Sequence, residues 1–145
     1  MLSPVPTTPD LQRLRERLEP VLRAAPGVKL ALLFGSLARG QENAASDLDV
    51  AVLDDGTPVD VPALAAQLSL AGGREVDVAL LRDPGLPLLR ELLRDSVVVY
   101  EREPGVAASF HTRALLAVET DGPWYDRMRD SALRRIAEGG FGGPR

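Results

Sequence analysis

The chain has 145 residues, 45% of them hydrophobic and 26% charged, which suits one globular domain with a core of its own. A formal charge of −4 argues against a nucleic-acid-binding surface, and the lack of cysteine excludes disulfides and thiolate metal sites. With His111 as the sole histidine, any bound metal must rest mostly on carboxylates, which favours a hard ion such as magnesium.

Residues 1–8 carry two prolines and two threonines and read as a loose arm, without the basic and apolar runs of a signal peptide. No stretch reaches the ~18 apolar residues of a membrane span, so a cytoplasmic protein is expected. Thr8, Pro9 and Asp10 signal a helix start, and Leu11, Leu14, Leu18, Val21 and Leu22 follow at helical spacing. Pro20 inside this run predicts a kink or a split, and Pro26-Gly27 ends it. Val28 to Phe34 is a nearly unbroken apolar run and reads as a central strand. Ser36 to Ala45 suits a brief helix.

Asp47 to Leu53 alternates, with Leu48, Val50 and Val52 on one face and Asp47, Asp49 and Ala51 on the other. Asp54-Asp55-Gly56 is a turn signal. A helix over Val61 to Ala71, capped by Asp60, precedes Gly72-Gly73. Glu75 to Leu81 is a strand, Pro87 to Arg94 a short helix and Val97 to Tyr100 a short strand. From Pro104 the pattern is helical to Glu138, with a break near Asp121-Gly122-Pro123. The expected organisation is an arm (1–8), a core (9–103), C-terminal helices that pack or bind a partner (104–138) and a flexible tail (139–145). The fold class is α/β or α+β, with a mixed sheet of about four strands and a helical appendage.

Aspartate is a poor strand former, and two on one strand face repel each other unless a cation lies between them. Asp47 and Asp49 point the same way, with Cα atoms about 7 Å apart. Asp77 holds a matching place on EVDVALL, so neighbouring strands would gather three carboxylates on one face. Two divalent ions need such a cluster, and their task is in-line displacement at phosphorus. Upstream, Gly35 permits close backbone approach and Ser36 adds a hydroxyl donor. Arg39, one turn later, can make a charge-assisted contact. The first half of the motif suits a triphosphate and the second half suits its metals.

The pattern G-S-x-A-R-G, then S-D-x-D with ten residues between Ser36 and Asp47, then a third Asp in a later strand, resembles the nucleotidyltransferase superfamily related to DNA polymerase β. The form GSLARG…SDLDVAVL resembles its minimal nucleotidyltransferase branch. PLLRELLRDSVVVYERE, with the helices ending in ALRRIAEGGFGG, is similar to that branch's antitoxins, which pair with HEPN-domain ribonuclease toxins. The resemblance implies that Asp47, Asp49 and Asp77 are catalytic and hold metal, two magnesium ions in all. It further implies that Asp77 helps activate the acceptor and that Gly35 and Ser36 hold the nucleotide phosphates, beside which Arg39, by its position one turn later, is a candidate nucleotide-binding residue. The implied activity is transfer of AMP from ATP to a tyrosine hydroxyl of the cognate toxin.

Blander readings compete at several positions. Arg39 is equally a surface arginine paired with Glu42. Glu75 reads as a neighbour of Asp77 rather than a ligand, and Ser46 as a turn cap. His111 reads as a surface or interface residue. Trp124 and Tyr125 pack the last helix onto the domain, or else face a partner. The arginines from Arg127 to Arg135 read as a solvated helix face. Two other functions remain open. One is nucleotidyl transfer to a small, aminoglycoside-like acceptor, which usually demands a larger second domain. The other is an antitoxin that neutralises by binding alone. Oligomeric state, whether homo- or hetero-oligomer, is not legible here.

Overall fold

The computed structural model describes residues 9–35, 38 and 47–137. The elements in chain order are α1 (Pro9–Ala24), β1 (Val28–Phe34), β2 (Leu48–Asp54), α2 (Val61–Gly72), β3 (Val76–Leu80), α3 (Leu86–Asp95), β4 (Val97–Glu101) and α4 (Val106–Ala137). The strands form one sheet in the order β3-β2-β1-β4. β1 pairs antiparallel with β2 and with β4, whereas β2 and β3 are parallel. A parallel pair needs a long crossover, and α2 supplies it. The sheet is therefore mixed, as the alternation of patterns implies.

Each sheet face has its own core. Leu14, Leu18 and Leu22 of α1 and Leu64 and Leu68 of α2 pack with Leu48, Val50 and Val52 on one face. Leu89 and Leu92 of α3 and Phe110 and Ala114 of α4 pack with Leu30, Leu32 and Ala51 on the other. The predicted alternation along β2 is thus observed: its leucine and valines lie under α1 and α2, and Ala51 lies under α3 and α4. At α2, Asp60 accepts a hydrogen bond from the Ala63 amide at 3.1 Å, and Gly73 closes the helix in the left-handed conformation.

Three sequence expectations are corrected. Pro20 does not split the first helix: α1 is continuous through it. Proline removes one amide, and here the exposed Pro20 frees the carbonyl of the exposed Glu16, which water can reach. The break expected at Asp121-Gly122-Pro123 is also absent, and α4 is one helix of 32 residues. The same reasoning holds, since Pro123 and Glu119 both face solvent. A tertiary contact reinforces that turn. Arg90 of α3 reaches Asp126 with bonds of 3.0 and 3.2 Å, and its guanidinium passes where a side chain on the buried Gly122 would begin. Third, Trp124 does not pack the helix onto the domain, being 58% exposed. The capping role of Thr8 and the helix expected over 36–45 lie outside the described residues, apart from Ala38, which packs against the first core. Among the described residues, no helix is long and apolar enough to cross a membrane.

One clamp ties the sheet ends together. Asp55 accepts from the Thr57 amide at 2.9 Å and from Arg102 at 2.7 Å, while Arg102 also donates to the Val28 carbonyl. The Thr57 amide and then Arg102 hold the Asp55 carboxyl down to about 2. A depressed acid stabilises the fold above its unfolded pKa, and that contribution is lost as pH falls through the folded value. Asp55→Asn is therefore expected to flatten the acid limb of the stability profile between about pH 4 and pH 2, measured by urea melts at stepped pH. An unchanged limb would show that the clamp contributes nothing.

Candidate active site

β2 carries Asp49 as its second residue, and β3 carries Asp77 as its second. The parallel register sets these two directly side by side, Asp49 against Asp77, on strands about 4.8 Å apart. Asp47 lies just before β2 and is exposed, Asp49 is half-buried and Asp77 is exposed. The condition posed by the sequence, that the two aspartate-bearing strands be neighbours, is met.

On its other side Asp49 pairs with Phe34, the last residue of β1. Gly35 follows with φ +87°, in the left-handed region that favours glycine. A Cβ built there would lie 2.6 Å from Asp49 Oδ2, far inside contact distance. Glycine is thus demanded twice, by its backbone angle and by the carboxylate resting against it. Ser36, Arg39 and Ser46 lie outside the described residues.

α3 adds a fourth acid that sequence reasoning missed. Leu89 and Leu92 seat α3 over Ala51, on the sheet face to which Asp49 belongs. Arg90 turns towards α4, and the half-buried Glu91 contributes to the field at Asp49. Nothing local marks Glu91, because its place depends on how α3 docks. The Asp49 carboxyl is pushed above its ordinary value by burial first, then by Asp77, Glu91 and Asp47. Every one of these influences disfavours the ionised form.

This donor set fits a hard divalent cation: oxygen ligands, negative field and a glycine turn that leaves room beside Asp49. Among the described residues, however, no three acidic or histidine side chains stand close enough to close a metal site unaided. A nearby cavity of about 230 Å³, walled by Leu53, Leu81, Leu89, Phe110 and Arg113, has none of the three aspartates in its lining and does not belong to the site.

The family model described as polymerase beta, nucleotidyltransferase, matches residues 16–105. The chain is similar to protein adenylyltransferase MntA of Aphanizomenon flos-aquae (strain 2012/KM1/D3), with 29% identity over 81% of this chain and 84% of that protein. Among solved structures, a toxin–antitoxin with AMP-PNP aligns at TM-score 0.70 and 22% identity, covering 82% of this chain and 98% of that one. A complex of the tri-AMPylated Shewanella oneidensis HEPN toxin with MNT antitoxin aligns at TM-score 0.67 and 21% identity, covering 84% and 98%. At these identities the structures establish the shared fold.

The raised Asp49 carboxyl has a measurable consequence. An acid whose folded pKa is raised favours the fold while protonated and loses that contribution as pH rises through the folded value. Asp49→Asn should therefore melt at a higher temperature than the parent at neutral pH without nucleotide. The difference should shrink below about pH 4, where the carboxyl is protonated folded and unfolded alike. Equal melting temperatures at pH 7 would remove the electrostatic strain from the account.

Proposed function

Because the chain belongs to the polymerase beta nucleotidyltransferase family, we propose that it is the antitoxin of a toxin–antitoxin pair and acts as a protein adenylyltransferase. It transfers AMP from ATP to a tyrosine hydroxyl of a cognate HEPN ribonuclease toxin. The observation that carries the reading is Asp49 beside Asp77 in register, against the glycine turn at Gly35. It is supported by the similarity to a protein adenylyltransferase and by the fold shared with toxin–antitoxin complexes, one with AMP-PNP and one with an AMPylated HEPN toxin. A protein acceptor accords with the relative's activity, and an aminoglycoside-like one does not. Both partners would work in the cytoplasm, where a ribonuclease meets its RNA.

The residues divide the work as follows. Gly35 and Ser36 receive the triphosphate, the first by its bare backbone and the second by its hydroxyl, with Arg39 adding positive charge. Asp47, Asp49 and Asp77 would hold magnesium, two ions in all. Held there, it would supply positive charge against developing phosphate charge and would favour ionisation of a nearby hydroxyl. Asp77, exposed on the edge strand, stands open to an incoming tyrosine hydroxyl, whose pKa starts near 10. The hydroxyl oxygen attacks the α-phosphorus, its proton passes to Asp77, and the bond to the β-phosphate oxygen breaks to release pyrophosphate. The added AMP blocks the toxin with bulk and negative charge.

Intact-mass spectrometry of the toxin after incubation with this protein, ATP and magnesium tests the reading. The toxin should gain one or more AMP units. Asp47→Asn or Asp49→Asn should abolish the gain. Asp77→Asn should slow it about a hundredfold or more while leaving ATP affinity nearly unchanged. A tight complex with no gain in mass would replace transfer by neutralisation through binding.

A further inference from the structure

The two edges of the sheet differ. β4 is buried from Val97 to Tyr100, whereas on β3 Asp77 is exposed and Val78, Ala79 and Leu80 are half-buried. In the parallel ladder the Glu75 carbonyl accepts from the Leu48 amide at 2.9 Å, and the Val52 carbonyl accepts from the Leu81 amide at 2.8 Å. Backbone groups alternate along a strand, so Asp77 and Ala79 also face β2, while Val78 and Leu80 turn their amides and carbonyls outward. Among the described residues, nothing meets those outward groups. The open stretch is bounded at both ends. Ser69 of α2 accepts from the Val76 amide at 3.0 Å and closes the edge before Asp77. Beyond Leu80, Arg82 pairs with Asp54 and the chain leaves the strand through Asp83, at φ +54°.

Outward amides and carbonyls at the strand repeat form a template for one kind of ligand, an extended backbone, because a helix uses its own groups internally. Asp77 says which chain that is. It stands at one end of the open stretch, and a residue opposite it on an added strand would lie on the same sheet face, about 5 Å away between Cβ atoms. A hydroxyl must come to that place to stand beside the acid that receives its proton. A second copy of this chain fits badly. Its own edge, residues 75–81, carries no serine, threonine or tyrosine. Two such edges would also set Glu75 and Asp77 of both copies along one ladder, where like charges destabilise the pairing.

We propose that the edge of β3, through the backbone of Val78 and Leu80, takes an extended segment of the protein acceptor as an added strand and sets its tyrosine opposite Asp77. This inference rests on the adenylyltransferase reading and adds to it how the substrate is held. Main-chain bonds supply the grip with little regard to the segment's other side chains, and the tyrosine is selected by its place opposite Asp77.

The test is residue-resolved amide hydrogen exchange by NMR on the full chain, alone and with its cognate HEPN toxin, without ATP. The Val78 and Leu80 amides should exchange fast in the free protein and at least tenfold more slowly in the complex. The Ala79 amide, already bonded to β2, should change little. Val78→Pro removes one outward amide and no bond to β2. It should slow AMP transfer to the toxin at least tenfold, while the stabilisation by ATP with magnesium in a thermal melt stays as in the parent. Unchanged exchange at Val78 and Leu80 in the complex overturns the proposal, whether or not Val78→Pro folds. Parental transfer by a folded Val78→Pro protein overturns it too. So does protection of both amides that rises with protein concentration in the absence of toxin, which would assign the edge to a second copy. Protection in the complex with no AMP gained by the toxin would instead sink the adenylyltransferase reading and leave the edge as a binding surface alone.

Discussion

The molecule is organised around a repulsion. Burial first, and then Asp77, Glu91 and Asp47, disfavours the charge of the half-buried Asp49. A folded protein does not gather like charges by chance, because each disfavours the compact state unless something opposes it. Here the opposition is mechanical. β2 and β3 are locked in parallel register by backbone hydrogen bonds, and α3 is held down by Leu89 and Leu92 in the second core. The apolar layers on both sheet faces supply the stability that the acidic site withholds.

That division of labour explains the layout of the sheet. β1 runs through its centre, buried nearly throughout, and delivers Gly35 to the place where Asp49 emerges from β2. The glycine turn and the carboxylate occupy one small volume, with no room for a side chain at position 35. Asp77 lies on an edge strand, so the third acid is accessible from solvent.

Much of this was legible in the sequence, for identifiable reasons. The alternation of Leu48, Val50 and Val52 with Asp47, Asp49 and Ala51 follows from the two-residue period of a strand, and the faces came out as read. The cap at Asp60 and the stop at Gly73 follow from local hydrogen bonding. The prolines misled. Pro20 and Pro123 carry a real local cost, but each faces solvent, and at Pro123 the Arg90–Asp126 bridge spans the same turn. Local propensity overstated the interruption because tertiary contact and water share in satisfying the backbone. Trp124 misled in the opposite sense, since a large aromatic after a break suggested packing and instead stands in solvent.

What the sequence by itself determined was the chemistry available: a glycine turn, a pair of aspartates at fixed strand spacing and a third on a later strand. Those follow from the two-residue period of a strand and the backbone freedom of glycine, both local to the chain. Whether the third acid would stand beside the pair was decided only by the crossover through α2, which makes β3 the parallel neighbour of β2 rather than a distant strand. The contribution of Glu91 and the continuity of α4 were likewise settled by how α3 and α4 pack, because contacts between residues far apart in the chain leave no periodic trace in it.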